Sequence, residues 1–141
     1  MSRVSDIVDD RPLFYVEEHQ TVTEVARRMA DLHVGAILVL SGGRLRGVFS
    51  ERDLMKRVVL ERRDPDQTEV SRVMSTDLVT IDDSASLEDA MELMQSNNCR
   101  HLPVLRQGAV TAFLSMRDLM HHELARKTEE LDHIRSYIAG S

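Results

Sequence analysis

Two short stretches of the chain carry the same three chemically capable side chains, a hydroxyl, a guanidinium and a carboxylate, 65 positions apart. The first set is Ser50, Arg52 and Asp53, and the second is Ser115, Arg117 and Asp118. A hydroxyl and a guanidinium beside the free amides of a helix start can hold a phosphate group. A carboxylate can accept hydrogen bonds from both hydroxyls of a ribose. These residue types therefore suit the binding of a phosphorylated sugar.

The same residues also suit helix capping. In Ser-x-x-Asp, the serine oxygen accepts a hydrogen bond from the third amide of a helix, and the aspartate favours the positive end of the helix dipole. The two roles are compatible, because a nucleotide would use the same helix start. The repeated arginine favours ligand binding, since it recurs although its neighbour changes from Glu51 to Met116. Both roles are open on the residues alone.

The duplicated motif belongs to a longer internal repeat. At the same offset, Met29 matches Met94 and Gly43 matches Gly108. Two copies of one unit fill nearly the whole chain as far as Met120. Self-similarity at a constant period indicates a repeated structural unit, so it decides the architecture.

Each copy has the same order of predicted elements. Thr21-x-x-Glu24 resembles a helix-starting capping box, as does Ser86-x-x-Asp89, and apolar residues then recur at helical spacing. Two strand-like runs separated by a glycine turn follow. A second helix then begins at each copy of Ser-x-Arg-Asp, at 50–53 and 115–118, which we call the serine motif. Each unit therefore has the predicted order β-α-β-β-α. One sheet with helices on one face cannot bury its other face alone, so we expect an α/β (α+β) module of two pseudo-twofold-related repeats packed sheet to sheet, plus a C-terminal helix.

The predicted boundaries are residues 4–60 for the first repeat, 61–69 for a linker, 70–122 for the second repeat and 123–140 for a C-terminal amphipathic helix. In that helix, Leu124, Leu131 and Ile138 are seven positions apart, with Ile134 between them. Packing on its own domain and pairing with a partner helix across a dimer are equally open. A heptad spacing suits the second alternative.

Composition restricts the classes of function. The 141 residues are 42% hydrophobic, about what one compact domain needs, and the net charge of −6 argues against a nucleic-acid partner. The single Cys99 excludes an internal disulfide and fits a reducing, cytoplasmic compartment. The longest apolar run, residues 36–40, is too short to span a membrane. No nucleophile–base pair and no metal-ligand spacing is legible, so we predict neither an enzyme nor a metal site.

These motifs resemble the CBS domain, the cystathionine-β-synthase type of repeat that occurs in tandem pairs. The family pattern Gly-apolar-apolar-Ser/Thr-x-x-Asp is matched by GVFSERD at 47–53, and by AFLSMRD at 112–118 with alanine in place of glycine. The stretch RHLPV at 100–104 resembles the family's strand signature, and VSRVMSTDLVTI at 70–81 resembles its leading strand. The resemblance implies a regulatory pair whose central cleft binds an adenosine-containing ligand: AMP, ADP, ATP, S-adenosylmethionine or a dinucleotide such as NAD.

The resemblance also implies which residues form two cleft sites. Site one would take Ser50, Arg52 and Asp53, with Thr76, Val79 and Cys99 facing the base. Site two would take Ser115, Arg117 and Asp118, with Phe14 and Val34 opposite. The cleft would also include Arg100, His101 and Pro103. In the first repeat, uncharged Gly35 and Ala36 stand where the second has Arg100 and His101, so we expect unequal sites, with the phosphorylated ligand at site two.

The predicted function is therefore an adenosine-nucleotide-sensing regulatory module without chemistry of its own. AMP is the leading ligand, no cofactor is required, and the module would form a homodimer and modulate an unidentified effector protein. A ligand that bridges the repeats would stabilise one relative orientation of them. The alternative is a structural homodimerisation module with an empty cleft, in which the serines and aspartates act only as helix caps.

Overall fold

The computed structural model of the chain describes residues 2–140, and its elements follow the repeat. In the first half they are α1 (Val4–Val8), β1 (Tyr15–Glu17), α2 (Val22–Leu32), β2 (Ala36–Ser41), β3 (Arg44–Ser50) and α3 (Glu51–Asp53), which continues as a π-helix over Leu54–Val59. In the second half they are a 3-10 turn (Val70–Arg72), β4 (Ile81–Asp82), α4 (Leu87–Ser96), β5 (His101–Arg106), β6 (Ala109–Ser115) and α5 (Met116–Ala139). From β1 and from β4 onward, both halves have the predicted order β-α-β-β-α.

Each repeat contributes one three-stranded sheet, with strand order β1-β2-β3 in the first and β4-β5-β6 in the second. In both sheets the first two strands are parallel and the last two are antiparallel. Strand β3 of one repeat contacts β6 of the other, so the two sheets meet. The predicted α+β fold of two related repeats with a C-terminal helix is confirmed.

Local sequence explains where the elements begin and turn. Four helices start on a hydroxyl residue whose oxygen accepts a hydrogen bond from the amide three residues on, namely Thr21, Ser50, Ser86 and Ser115. The β2–β3 and β5–β6 hairpins turn on the residue pairs Gly42–Gly43 and Gln107–Gly108. All four of these turn residues have positive φ, which two-residue hairpins of this kind require.

The segments that precede the two sheets are exchanged between the repeats. Helix α1 lies in the core of the second repeat, where Val4 is fully buried and its amide donates to the Ala85 carbonyl at 2.9 Å. Conversely, residues of the 70–74 segment lie in the core of the first repeat, and the Val70 amide donates to the Gln20 carbonyl at 2.8 Å. Each core therefore includes a segment from the other repeat, which makes the pair one folding unit.

The segment 70–81, which the resemblance identifies with a leading strand, is mostly not a strand. Only Ile81 of this segment lies in β4, and residues 70–72 form the 3-10 turn. Val70 and Val73 are both buried in the first core. Residues three apart share a face in a 3-10 turn but lie on opposite faces of a strand, so a turn is what buries both valines.

The last helix of the second repeat and the predicted C-terminal helix are one continuous element. Helix α5 has 24 residues and is therefore about 36 Å long. Leu119, near its start, is buried, whereas every residue from 123 to 140 is exposed. We call residues 123–139 the tail helix. Of the two alternatives for this segment, packing on its own domain is not what the structure shows.

Candidate functional site

A cleft with a volume of about 770 Å³ lies between the repeats at the start of α5. Small-molecule sites typically have roughly 300–1,000 Å³. The residues predicted for site two that line this cleft are Phe14, Val34, Arg100, His101, Ser115, Arg117 and Asp118. Pro103 lies outside the lining, buried in β5 opposite Phe113. The fold thus brings residues from both repeats to one place.

Asp118 is held at the first turn of α5 with both of its oxygens engaged. One oxygen accepts a hydrogen bond from the Ser115 amide at 2.9 Å, and the Arg11 guanidinium donates to both oxygens at 2.8 and 3.0 Å. Burial acts to raise the pKa of the Asp118 carboxyl, but the hydrogen bonds from Arg11 and Ser115 outweigh it and hold that pKa below its usual value. The cleft therefore presents an ionised carboxylate at neutral pH.

Arg11 is a cleft residue that the sequence did not predict. It lies between α1 and β1, and its contact with Asp118 spans 107 positions, so no local pattern singles it out. With Arg100 and Arg117 it gives the cleft lining three guanidinium groups against one carboxylate. In a chain whose net charge is −6, this cleft is a locally positive region that attracts anions.

His101 stacks on Phe113, with the ring centroids 5.0 Å apart and the planes at 28°. Burial lowers the pKa of His101, the Asp118 carboxylate acts to raise it, and the Arg100 charge lowers it further. The net effect is a pKa below the usual value, so the ring is neutral at pH 7.

Sequence reasoning also missed further lining residues, namely Pro12, His33, Ile37, Ala112, Phe113, Met116 and Met120.

The lowered pKa of His101 predicts that acid destabilises the fold. The unfolded chain takes up this proton near pH 6.5 and the folded chain only at lower pH, so the free energy of unfolding falls as the pH drops below about 6.5. Urea unfolding between about pH 5 and pH 7.5 would measure it, and the wild type should lose more stability over this range than His101→Gln. Parallel curves for the two proteins would contradict the prediction.

At the first serine motif, protein groups cover the corresponding aspartate. The Asp53 residue is only 7% exposed. One of its oxygens accepts hydrogen bonds from the Ser50 amide at 3.1 Å and the Ser50 hydroxyl at 3.0 Å. The other accepts from the Ser75 hydroxyl at 2.9 Å and lies 3.7 Å from Nε of Arg57. Both oxygens of Asp53 are therefore engaged by the chain itself.

The other residues predicted for site one are not gathered at an open cleft. Arg52 and Thr76 are exposed. Val79 and Cys99 are half-buried and pack against the core of the second repeat. Burial raises the pKa of the Cys99 thiol, so it stays protonated at neutral pH. None of these four residues lines the cleft beside Asp118.

Gly47 is what permits the close covering of the first motif. A Cβ atom at Gly47 would lie 2.6 Å from Sδ of Met74 and 2.8 Å from the Ser75 carbonyl oxygen. Val48 and Ser75 pair as an antiparallel bridge, so glycine lets this segment lie directly over β3. The counterpart Ala112 carries a methyl group and lines the open cleft.

We expect Gly47→Ala to lower the free energy of unfolding by about 1–3 kcal/mol, because the added methyl group overpacks a site bounded by a backbone oxygen. Urea denaturation would measure the change. The matched control is Gly35→Ala, where the added Cβ would lie 3.5 Å from the Glu51 side chain, an ordinary contact, and this variant should change the free energy of unfolding by less than about 1 kcal/mol. A Gly47→Ala protein as stable as the wild type would contradict this account of the covered motif.

Among residues 2–140, no group of three or more His, Cys, Asp or Glu side chains is placed to hold a metal ion. Over the same part of the chain, none of the helices combines the length and the apolar character that crossing a membrane requires. The cleft itself offers hydrogen bonding, positive charge and apolar walls.

Known proteins share both the sequence pattern and this architecture. A sequence model of the CBS domain matches residues 4–60 and 70–125. The CBS domain-containing protein YhcV of Bacillus subtilis is 36% identical over 128 residues, which cover 91% of this chain and 90% of that protein. The match to the family model over most of the chain confirms the resemblance seen in the motifs.

Solved structures are also similar to this chain. A protein with CBS domains from Burkholderia ambifaria MC40-6 has a TM-score of 0.82 and 30% identity, covering 88% of this chain and 95% of that one. The CBS domain protein PAE2072 from Pyrobaculum aerophilum, solved in complex with AMP, has a TM-score of 0.76 and 30% identity, covering 83% and 89%. With two repeats that match in sequence, topology and serine motif, the chain belongs to the CBS domain family.

Proposed function

We propose that the protein is a regulatory module that binds an adenosine phosphate, AMP in the first place, in the cleft beside Asp118. The observation that carries the proposal is the meeting of the Asp118 carboxylate with three arginines in one cleft of about 770 Å³. The AMP complex of the related Pyrobaculum protein supports this class of ligand. The module has no chemistry of its own, and its output is a change in the activity of another protein.

Each part of such a ligand has a matching group in the cleft. Asp118 would accept the ribose hydroxyls on its two carboxylate oxygens once the Arg11 guanidinium leaves them. Arg100 and Arg117 offer guanidinium donors to the phosphate. Phe14 offers a face to the adenine ring, and the Arg28 guanidinium lies 5.8 Å from the centroid of that phenyl ring. Charge, hydrogen bonding and apolar contact are thus supplied together.

We infer that one ligand binds per chain. Both aspartates are engaged by the chain, but Asp118 is paired with the 40%-exposed side chain of Arg11, whereas Asp53 is only 7% exposed and is held by Ser50 and by Ser75 of the segment that covers it. A ribose there would have to displace the Ser75 hydroxyl and the backbone bridge between Val48 and Ser75. We therefore propose that the two sites are unequal in that only site two binds ligand.

The proposed ligand would act by linking the repeats. Phe14 and Val34 come from the first repeat, whereas Arg100 and Asp118 come from the second. A ligand that contacts both favours the relative orientation in which both sets of contacts form, and it shifts the equilibrium by its differential affinity for the two orientations. The effector would read that orientation. A cytoplasmic location completes the proposal, since the free Cys99 suits a reducing compartment.

Titration calorimetry of the nucleotide-stripped protein tests the proposal. The panel is AMP, ADP, ATP, NAD and S-adenosylmethionine, with melting temperature as a second readout. Saturable binding of at least one adenosine phosphate, with a higher melting temperature, is the expected result. If no ligand of the panel gives heat or a melting shift, the alternative holds, and the protein is a structural dimerisation module with an empty cleft.

The exposed face of α5 supports a homodimer as part of the proposed function. The tail helix carries Leu124, Leu131 and Ile134, which are 66%, 54% and 53% exposed. With Met120 and Ile138 they occupy the first and fourth positions of successive heptads, the pattern of a paired helix. We propose that the tail helix of a second copy covers this stripe.

Charges beside the stripe favour a parallel arrangement of the two tail helices. When Leu124 and Leu131 take the first heptad position, Glu130 takes the seventh and Arg135 the fifth of the next heptad. In a parallel pair these two positions face each other across the interface, so Glu130 would meet Arg135 of the second copy. Lys127, a polar residue at a fourth position, would set the register at some cost in stability.

A further inference from the structure

The acceptor proposed for ribose is not vacant in this structure, because Arg11 holds it. Both oxygens of Asp118 accept hydrogen bonds from the Arg11 guanidinium, at 2.8 and 3.0 Å. Under the proposed function, the same two oxygens accept the ribose hydroxyls. Arg11 and a bound ribose therefore compete for one carboxylate.

Arg11 is placed so that it can leave Asp118 without disturbing a core. Its side chain is 40% exposed, and it belongs to the connection between α1 and β1. Of the described residues that line the cleft, Asp118 alone carries a carboxylate. A displaced guanidinium thus finds no second acidic side chain in the lining, whereas the phosphate of a bound nucleotide would offer it a counter-charge.

We propose that Arg11 is a specificity-determining residue that makes the cleft select nucleotides over nucleosides. It occupies Asp118 until a ligand arrives and then exchanges the carboxylate for the phosphate of that ligand. A nucleoside must break the Arg11–Asp118 ion pair and has no charged group with which Arg11 could form a new one. A nucleotide breaks the same pair, but its phosphate forms a new ion pair with Arg11. This inference rests on the proposed function, since it assumes that the ribose binds at Asp118.

The ratio of two dissociation constants isolates this role of Arg11. Removing the Arg11 side chain frees Asp118 for adenosine and for AMP alike. The resulting increase in affinity is the same for both ligands, and it therefore cancels when the dissociation constant of adenosine is divided by that of AMP. Loss of the phosphate contact weakens AMP alone. A lost charge-assisted hydrogen bond corresponds to about tenfold or more in affinity, and the ratio should fall by that factor.

The test is calorimetric titration of AMP and adenosine into the wild type, Arg11→Met, Arg11→Lys and Arg46→Met at one salt concentration. Arg46→Met is the matched control, because it also removes one positive charge and one ion pair, with Glu18 at 3.3 Å, outside the cleft lining. Arg11→Met should lower the ratio about tenfold while adenosine binds at least as tightly as in the wild type. Arg11→Lys, which keeps the charge but not the two-pronged geometry, should give an intermediate ratio.

Two results would overturn the inference while leaving the proposed function standing. One is an Arg11→Met protein that keeps the wild-type ratio, and the other is an equal fall in Arg46→Met, which would reflect net charge alone. A wild type that binds neither AMP nor adenosine would overturn this inference, and the proposed function falls with it only if ADP, ATP, NAD and S-adenosylmethionine also fail to bind. Melting temperatures of all four proteins identify any loss of affinity that comes from unfolding.

Discussion

Asp118→Asn is expected to weaken AMP binding at least about tenfold, whereas Asp53→Asn should leave it almost unchanged. A hydrogen bond to a charged group contributes about 1.5–3 kcal/mol, and the amide keeps one acceptor oxygen, so the variant loses about one such bond from the ribose. Asp53 is buried under the 74–75 segment and would touch no ligand. Calorimetric titration of AMP into both variants measures the difference.

The two variants are matched, because each replaces the third helix residue after a capping serine. For the free energy of unfolding, the order should be reversed, with the larger loss in Asp53→Asn. The Asp53 carboxylate accepts hydrogen bonds from the Ser50 amide and hydroxyl and from the Ser75 hydroxyl. In Asp53→Asn, the NH2 group of the new side chain would face one of these donors, so the substitution should lower the free energy of unfolding by about 1–3 kcal/mol. Asp118 is only half-buried and its pair with Arg11 is partly screened, so its loss should cost less. Equal loss of AMP affinity in both variants would contradict the inequality of the sites.

Leu131→Glu is expected to convert the protein from a dimer to a monomer at micromolar concentration. Burying a leucine side chain contributes about 1.5–3 kcal/mol, and the symmetric interface contains two copies of it. Replacing both with charged groups should therefore raise the dimer dissociation constant by more than about 100-fold. Sedimentation velocity over a range of concentrations would measure the change.

Ser136→Glu is the control for this dimer prediction. It adds the same charge to the same exposed helix, five positions further along and away from the apolar stripe. This variant should sediment as the wild type does. A wild type that is monomeric at all concentrations, or a Leu131→Glu protein that remains a dimer, would refute pairing through the tail helix.

Most of the fold was accessible from the sequence because its determinants are local and duplicated. The capping residues Thr21 and Ser86 and the hairpin turn at Gly42–Gly43 act within a few positions of the chain. Because the two repeats match at an offset of 65 residues, an element predicted in one repeat is supported by the same pattern in the other. The repeat order β-α-β-β-α and the start of α5 at Ser115 followed from those signals.

The parts that sequence reasoning missed depend on contacts between distant segments. Arg11 meets Asp118 across 107 positions, and Ser75 meets Asp53 across 22. Both contacts arise from the segments exchanged between the repeats, which no periodicity reveals. The role of Gly47 likewise appears only when Met74 is seen against it. The residues proposed for site two could thus be named from the motif and the family resemblance, but the covering of Asp53 could not.

The number of AMP molecules bound per chain at saturation distinguishes one open site from two. Equilibrium dialysis of nucleotide-stripped protein against labelled AMP measures that number without any substitution. We expect one AMP per chain, bound in the open cleft beside Asp118. Two per chain would contradict the covering of Asp53 by the 74–75 segment, and none would contradict AMP as the ligand of this cleft.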